Sequence, residues 1–342
     1  MTPNIAHRII RGGWQLAPGH LVSQSVEDGL DAVMDAIDVG FRIFDCADIY
    51  TGVEDLLGEA RLLAAARRIK IRVHTKCVPD RAMLPRISFS DIETSIDRSL
   101  LRLGCETLDL VQFHWWDYSV PRYLDVLDYL ARLKQAGKIQ AIGLTNFDSG
   151  HLREIISAGI DIASIQLQYS LIDKRSETDV MPVCEAHGIR IYSYGGLLGG
   201  FLSEAWLDQP EPDQPVLPNR SLVKYKLIID DWGGLDRFQS LLKQMKSIAM
   251  AHDSDIARVA VSAIVGRQRS EAVIVGISPL RYRRQNAALA RLVDLSSAEL
   301  DQLWTWDCPL RGGVYEIERN SSKHAGIMKY NLNIEAGGEA RA

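Results

Sequence analysis

The chain has 342 residues, of which 46% are hydrophobic and 24% charged, and carries a net charge of −5 with a pI near 5.9. That is the balance of an ordinary globular protein with ample length for a large core. It supplies no basic field for nucleic acid or an anionic membrane, and no apolar run reaches the length of a membrane span. Five widely spaced cysteines (Cys46, Cys77, Cys105, Cys184 and Cys308) form no CxxC pair, so no zinc site is expected and most should pack as small hydrophobes. The N-terminal MTPNIAHRIIRGG lacks the apolar core of a signal peptide, so a cytoplasmic location is expected.

Short apolar runs alternate with longer amphipathic stretches along the chain. Residues 9–16 (IIRGGWQL) read as the first strand, and Ser25 as the N-cap of a helix with Leu30, Val33 and Ile37 on one face and Gly40 just beyond. Strands follow at 42–47, 71–77, 108–114, 139–145, 162–168, 189–194 and 272–276, each rich in Val, Ile, Leu or aromatics, as buried parallel strands should be. Between them, a capping box at S90-D-I-E93 opens a helix carrying Ile92, Ile96 and Leu103. The next starts at Pro121 and ends before Gly137, and another begins near Asp148. Further helices are expected at about 177–187, 238–252 and 280–293, with a short extra one opened by S296-S-A-E299. Residues 197–237 interrupt the repeat as a long connection containing QPEPDQPVLP, and such loops in compact domains are usually functional or disordered.

Roughly eight βα units imply parallel strands with right-handed crossovers, and favour a closed (β/α)8 barrel over an open doubly wound sheet. The open sheet would carry GxGxxG after its first strand; the pair Gly12-Gly13 is too short for it. The expected organisation is one barrel domain over 1–310 and a C-terminal extension over 311–342.

In such a barrel, chemistry sits where strands end and βα loops begin. The second strand runs into Asp45, Asp48 and Tyr50, the third ends at Lys76 and the fourth at His114. None suits the interior of an apolar strand, and all fall at one rim. A free tyrosine has a pKa of about 10, and a nearby ammonium such as Lys76 favours the phenolate. Asp45 would keep that lysine charged and oriented, and His114 can hydrogen-bond a substrate carbonyl. Such a set suits carbonyl reduction, with hydride arriving at carbon while Tyr50 protonates oxygen.

Leading from the last strand, Gly276-Ile277-Ser278-Pro279 offers Ser278 as an N-cap and Pro279 as the first helical residue. Arg281, Arg283 and Arg284 in the opening turns oppose the helix dipole, a conflict that a bound phosphate would remove.

These segments resemble the aldo-keto reductases. The likeness is carried by F41-R-I-F-D45-C-A-D48-I-Y50, T75-K76, S95-I-D-R-S-L-L-R-L-G104, L108-D-L-V-Q-F-H114-W, I142-G-L-T-N146, Q166-L-Q-Y169, Y192-S193, V275-G276 and Q285-N286, and covers roughly residues 8–295. It implies a catalytic tetrad of Asp45, Tyr50, Lys76 and His114 with Tyr50 as general acid/base. It implies that Thr145, Asn146 and Gln166 hold a nicotinamide carboxamide and that Tyr192 stacks on its ring. Gly276, Ser278, Arg281 and Arg284 would then meet the phosphate end, and Gln285 and Asn286 the adenine. The chain departs from the family at Tyr194-Gly195, where many members have proline or alanine and then leucine, and at Ile277-Ser278, where many have a phosphate clamp. NADP(H) is the cofactor expected from the arginines, with NAD(H) the alternative.

Trp14, Trp115, Trp116 and Trp206 are candidates for a substrate pocket, and Asp117 could select polar substrates. Three functions follow: an NADP(H)-dependent reductase of aldehydes or ketones, an NAD-dependent aldose or lactol dehydrogenase, and a cofactor-binding regulatory subunit with low turnover. The partner expected is a small carbonyl or alcohol substrate; no metal is expected, and no oligomeric state is legible.

Overall fold

The computed structural model describes residues 7–17, 25–212, 217, 220–277, 287–313 and 324. Eight parallel strands close into one barrel in chain order. They are β1 (Ile9–Gly12), β2 (Ile43–Asp45), β3 (Arg72–Cys77), β4 (Leu110–Phe113), β5 (Ile142–Thr145), β6 (Ser164–Gln168), β7 (Arg190–Tyr194) and β8 (Ala272–Gly276). Almost every strand residue is buried; β8 (AVIVG) reads as a continuous apolar run, whereas β6 (SIQLQ) alternates apolar residues with buried polar ones. The expected first strand stops early, and Trp14–Leu16 form a 3-10 turn. The chain turns at Gly13, whose N–H donates to the Asp45 carbonyl at 2.7 Å. A Cβ at Gly13 would lie 2.8 Å from Val53 Cγ1 and 3.0 Å from that carbonyl, so glycine permits the close approach.

The helices are α1 (Val26–Val39), α2 (Val53–Ala66), α3 (Phe89–Leu103), α4 (Tyr123–Gln135), α5 (Ser149–Ser157), α6 (Val180–Ala186), α7 (Arg220–Trp232), α8 (Gly234–Ala251), α9 (Ile256–Gly266) and α10 (Ser297–Trp304). Ser25 caps α1 and Gly40 ends it at a φ of 116°, as read from the sequence, and Asp148 caps α5. The box on α3 is formed by Ser88 and Asp91, two residues before the expected Ser90 and Glu93. Both pairs satisfy the same spacing rule, and the chain's entry after Ile87 selects the first. Helix α4 starts two residues after Pro121, with Arg122 in the cap position.

Helices α7 and α9 lie outside the eight βα units read from the sequence. Helix α9 buries Ile256, Val259, Ala260, Val261, Ala263 and Ile264, so it shows no polar face to betray a helical period. Helix α7 lies inside the expected 197–237 connection, masked by the prolines before it. Of the expected helix at 280–293, residues 280–286 lie outside the described residues, as does most of the 311–342 extension.

The described residues fall into two compact units. One runs from Ile10 to Gln166 and includes Gly276 and Ile277; the other holds residues 7–9, the described residues of Leu167–Val275, 287–313 and 324. The second has its own core, in which Ile229 and Trp232 of α7 join Phe238, Leu241 and Met245 of α8, all fully buried. Each such aliphatic or Phe side chain contributes roughly 1.5–3 kcal/mol. The Trp232 indole N–H is satisfied by the Asp307 carbonyl at 2.9 Å. Among the described residues, no helix is long and apolar enough to cross a membrane.

Candidate active site

Three successive strand ends of the first unit build the site. Asp45 closes β2, Lys76 is the penultimate residue of β3, and His114 follows β4 with its N–H on the Cys77 carbonyl at 3.1 Å. Tyr50 sits on the turn after β2. That turn is pinned by Cys46 N–H to His74 O at 2.8 Å, Asp48 N–H to Lys76 O at 3.3 Å and Tyr50 N–H to Ala47 O at 3.0 Å. Lys76 Nζ donates to Asp45 Oδ2 at 2.6 Å and to the Cys46 carbonyl at 2.8 Å, and lies 5.1 Å from the centroid of the Tyr50 ring. Asp45, Tyr50 and Lys76 thus come together as one chain of contacts. The His114 ring meets the Trp116 indole edge-on, centroids 4.4 Å apart, and Trp116 is held by its own N–H on the Pro79 carbonyl at 2.9 Å. Trp14 packs edge-on against Tyr50 at 4.8 Å.

The second oxygen of Asp45 is also engaged. Gln112 and Gln166 both donate through Nε2 to Asp45 Oδ1, at 2.8 and 2.7 Å. Gln112 is Lys76's register partner on β4, so the two point to the same side of the sheet. No role was read for Gln112 from the sequence, yet the signal was there. A glutamine in the middle of LVQF, on a strand buried on both faces, has to find hydrogen bonds.

Burial governs the titration of the set. It pushes the Tyr50 phenol up to about 12, and Lys76 offsets this only in part. The net direction is opposite to the one expected from the lysine alone, because desolvating a phenolate outweighs one nearby ammonium. Burial likewise works against the charge on Lys76, but Asp45 and Tyr50 together outweigh it and hold that ammonium above the ordinary lysine range. Cys46 and Cys77 are buried, and desolvation first of all pushes both thiols well up, so neither is a ready nucleophile.

Asp48, two residues before Tyr50, is pushed up to about 7 by burial and then by the neighbouring Glu54. The Val78 N–H at 3.1 Å, the Ser95 hydroxyl at 3.2 Å and the Arg98 charge only partly oppose this. The folded protein therefore keeps a proton that the unfolded chain releases above about 4, the ordinary value. Stability from this group falls as pH climbs from about 4 to about 7 and is flat beyond. Asp48→Asn keeps an acceptor for Val78 and Ser95 but cannot ionise. It should remove this slope, gaining on the order of 2–4 kcal/mol over the wild type between the two ends of that window. Urea midpoints across the pH range measure it; parallel profiles for the two proteins would refute it.

Thr145 ends β5 and is buried, and Asn146 follows at a φ of 61° with its N–H on the Gln166 carbonyl at 3.0 Å. Thr145 and Gln166 are register partners, so Thr145, Asn146 and Gln166 form one corner of the first unit. Tyr192 is buried in β7 and belongs to the second unit. The Gly276 carbonyl accepts from Nη2 of the fully buried Arg11 at 3.0 Å, and a Cβ at Gly276 would lie 2.4 Å from Gln15 Oε1. Burial lowers Arg11 to about 10. Ser278, Arg281, Arg283, Arg284, Gln285 and Asn286 lie outside the described residues. Trp115 has no exposed surface, and its indole N–H is shared between the Asp117 and Val120 carbonyls at 2.9 and 3.0 Å. Trp206 packs on Phe201 in the second unit, centroids 4.4 Å apart.

Comparison with known proteins points the same way. Residues 8–305 match the family model of the aldo/keto reductase family. An NADH-specific methylglyoxal reductase of Escherichia coli (strain K12) is 26% identical over 294 residues, spanning 79% of this chain and 87% of that protein. A glycerol dehydrogenase of Gluconobacter oxydans shares the fold with a TM-score of 0.70 at 22% identity, over 89% of this chain and 93% of that one. An aldo-keto reductase of Bacillus halodurans does so with a TM-score of 0.67 at 21% identity, over 92% and 95%. With a closed eight-stranded βα barrel and a family match across nearly its whole length, the chain belongs to the aldo/keto reductase family of oxidoreductases.

Proposed function

We propose that the protein reduces aldehyde or ketone substrates to alcohols, or runs the reverse reaction, with NADP(H) as cofactor and Tyr50 as general acid/base. The observation that carries this reading is the buried Asp45–Lys76 pair set against the half-buried Tyr50 ring. When bound, the nicotinamide ring supplies or takes up the hydride at the carbonyl carbon. Tyr50, with its phenol raised to about 12, is protonated at neutral pH and holds the proton that the carbonyl oxygen receives. Lys76, kept charged by Asp45, stabilises the phenolate left behind. His114, braced by Trp116, hydrogen-bonds the substrate oxygen. Trp14 against Tyr50 and Trp116 against His114 supply apolar walls for a small carbonyl substrate, whereas the burial of Trp115 favours a packing role.

The residues present fit the cofactor. The Gln166 carboxamide oxygen takes no hydrogen bond from a described residue, and it adjoins Thr145 and Asn146, a set suited to a carboxamide. Tyr192 would stack on the ring, and Gly276, Ser278, Arg281, Arg284, Gln285 and Asn286 would hold the phosphate and adenine end. Three arginines within eight residues of the last strand favour a 2′-phosphate. The name of the Escherichia coli relative favours a second reading, in which NADH is the cofactor and the substrate a small oxo-aldehyde.

Titration with NADPH and NADH, followed by quenching of tryptophan fluorescence, separates the two. Under the first reading NADPH binds more tightly, and changing Arg281, Arg283 and Arg284 to Ala weakens it roughly 10–100-fold while NADH changes little. Equal losses for both, or none, would remove the phosphate assignment.

A further inference from the structure

We propose that Gln112 is a positioning residue that locks the Gln166 side chain so that it meets the cofactor's carboxamide only as a hydrogen-bond acceptor. This rests on the cofactor role proposed above for Gln166.

The lock follows from counting hydrogens. An Asp45 carboxylate ion-paired to Lys76 only accepts, so both amides that reach its Oδ1 must present NH2 to it. One hydrogen of Gln166 Nε2 goes to Asp45 at 2.7 Å, and the other to Gln112 Oε1 at 2.9 Å. Both are then used, and the oxygen alone remains for a ligand. Turning the Gln166 amide over would set oxygen against oxygen at both contacts. Turning Gln112 over would set its oxygen against Asp45 and its NH2 against that of Gln166. The three side chains therefore have one satisfied arrangement, in a buried setting where an unsatisfied one is costly.

The strand between them makes the meeting possible. Gln112 lies on β4 and Gln166 on β6, with Gly143 of β5 in register with Gln112 and with Ser164. A Cβ at Gly143 would lie 3.4 Å from Gln112 Cγ and 2.7 Å from Ser164 Oγ, so a side chain there would press on the bridge. The consequence is a single buried network that joins the Asp45–Lys76 pair to the proposed carboxamide site.

A nicotinamide carboxamide offers NH2 to such an acceptor, whereas in the 3-acetylpyridine analogue a methyl group stands in place of that NH2. The test uses whichever of NADP and NAD the wild type binds more tightly, together with its 3-acetylpyridine analogue, with fluorescence quenching as the readout. The wild type should bind the analogue roughly tenfold more weakly, because the Gln166 oxygen is left without a partner. Gln112→Met frees the second Gln166 N–H to turn to the acetyl oxygen, and the preference should shrink to about threefold or less. Gln112→Glu, protonated beside Asp45, can donate to Asp45 and still accept from Gln166, and should keep the wild-type preference. Full preference in Gln112→Met, or its loss in Gln112→Glu, overturns the lock. Gln166→Leu distinguishes that outcome from failure of the underlying reading. If it leaves both affinities and their ratio at wild-type values, Gln166 does not meet the carboxamide, and both fall.

Discussion

Replacing Tyr50 by Phe is expected to lower kcat about 10²–10⁴-fold while leaving cofactor affinity within about twofold of the wild type. The substitution removes one hydroxyl. The ring keeps its edge-on packing against Trp14 and its place near Lys76, so the fold and the proposed cofactor corner have no reason to change. What disappears is the proton that the proposed mechanism gives to the carbonyl oxygen. The pH profile carries a second signature. A phenol raised to about 12 is in its acid form through neutral pH, so reduction should slow only as pH rises through the alkaline range where Tyr50 ionises. That alkaline limb should be absent from the residual activity of the variant. A kcat within threefold of wild type would exclude Tyr50 as the acid.

Lys76→Met is expected to be costly to both stability and turnover. Nζ is 2.6 Å from Asp45, and both side chains are about 6% exposed. Removing the cation leaves a buried carboxylate without its counter-charge, a change that typically costs about 3–5 kcal/mol. Gln112 and Gln166 still donate to Oδ1, which moderates the loss, so the lower end of that range is expected. The combined Asp45→Asn, Lys76→Met protein should recover most of the stability, because no charge then remains buried, but none of the activity. Urea unfolding of the three proteins measures the pair. A single variant as stable as the wild type would show that the ion pair is not desolvated as its geometry indicates.

The barrel was legible because its physics is local. A strand covered on both faces is rich in apolar residues, and most helices between strands show one polar face and a defined start. Hence all eight strands were found in order, and Ser25, Asp148 and Ser296 stood where their caps lie. Where burial removes the polar face, as on α9, the period disappears; where prolines precede a helix, as before α7, composition misleads. The choice between Ser88 and Ser90 as the cap of α3 could not be made locally either, since both are followed three residues on by an acidic side chain.

The site divides in the same manner. Residue type and position at the strand ends were enough to single out Asp45, Tyr50, Lys76 and His114, because polar groups at the rim of an apolar barrel have few structural reasons to be there. The sequence by itself thus determined the (β/α)8 architecture, the family and the set of polar groups at the second, third and fourth strand ends. Only the tertiary structure decided how those groups behave. The degree of burial turned the expected lowering of the Tyr50 pKa into a rise to about 12 and brought Asp48 to about 7. The meeting of Gln112 and Gln166 beside Asp45 joined residues 54 positions apart. Desolvation and hydrogen-bond partnership are properties of what surrounds a side chain, and those surroundings come from strands distant in sequence.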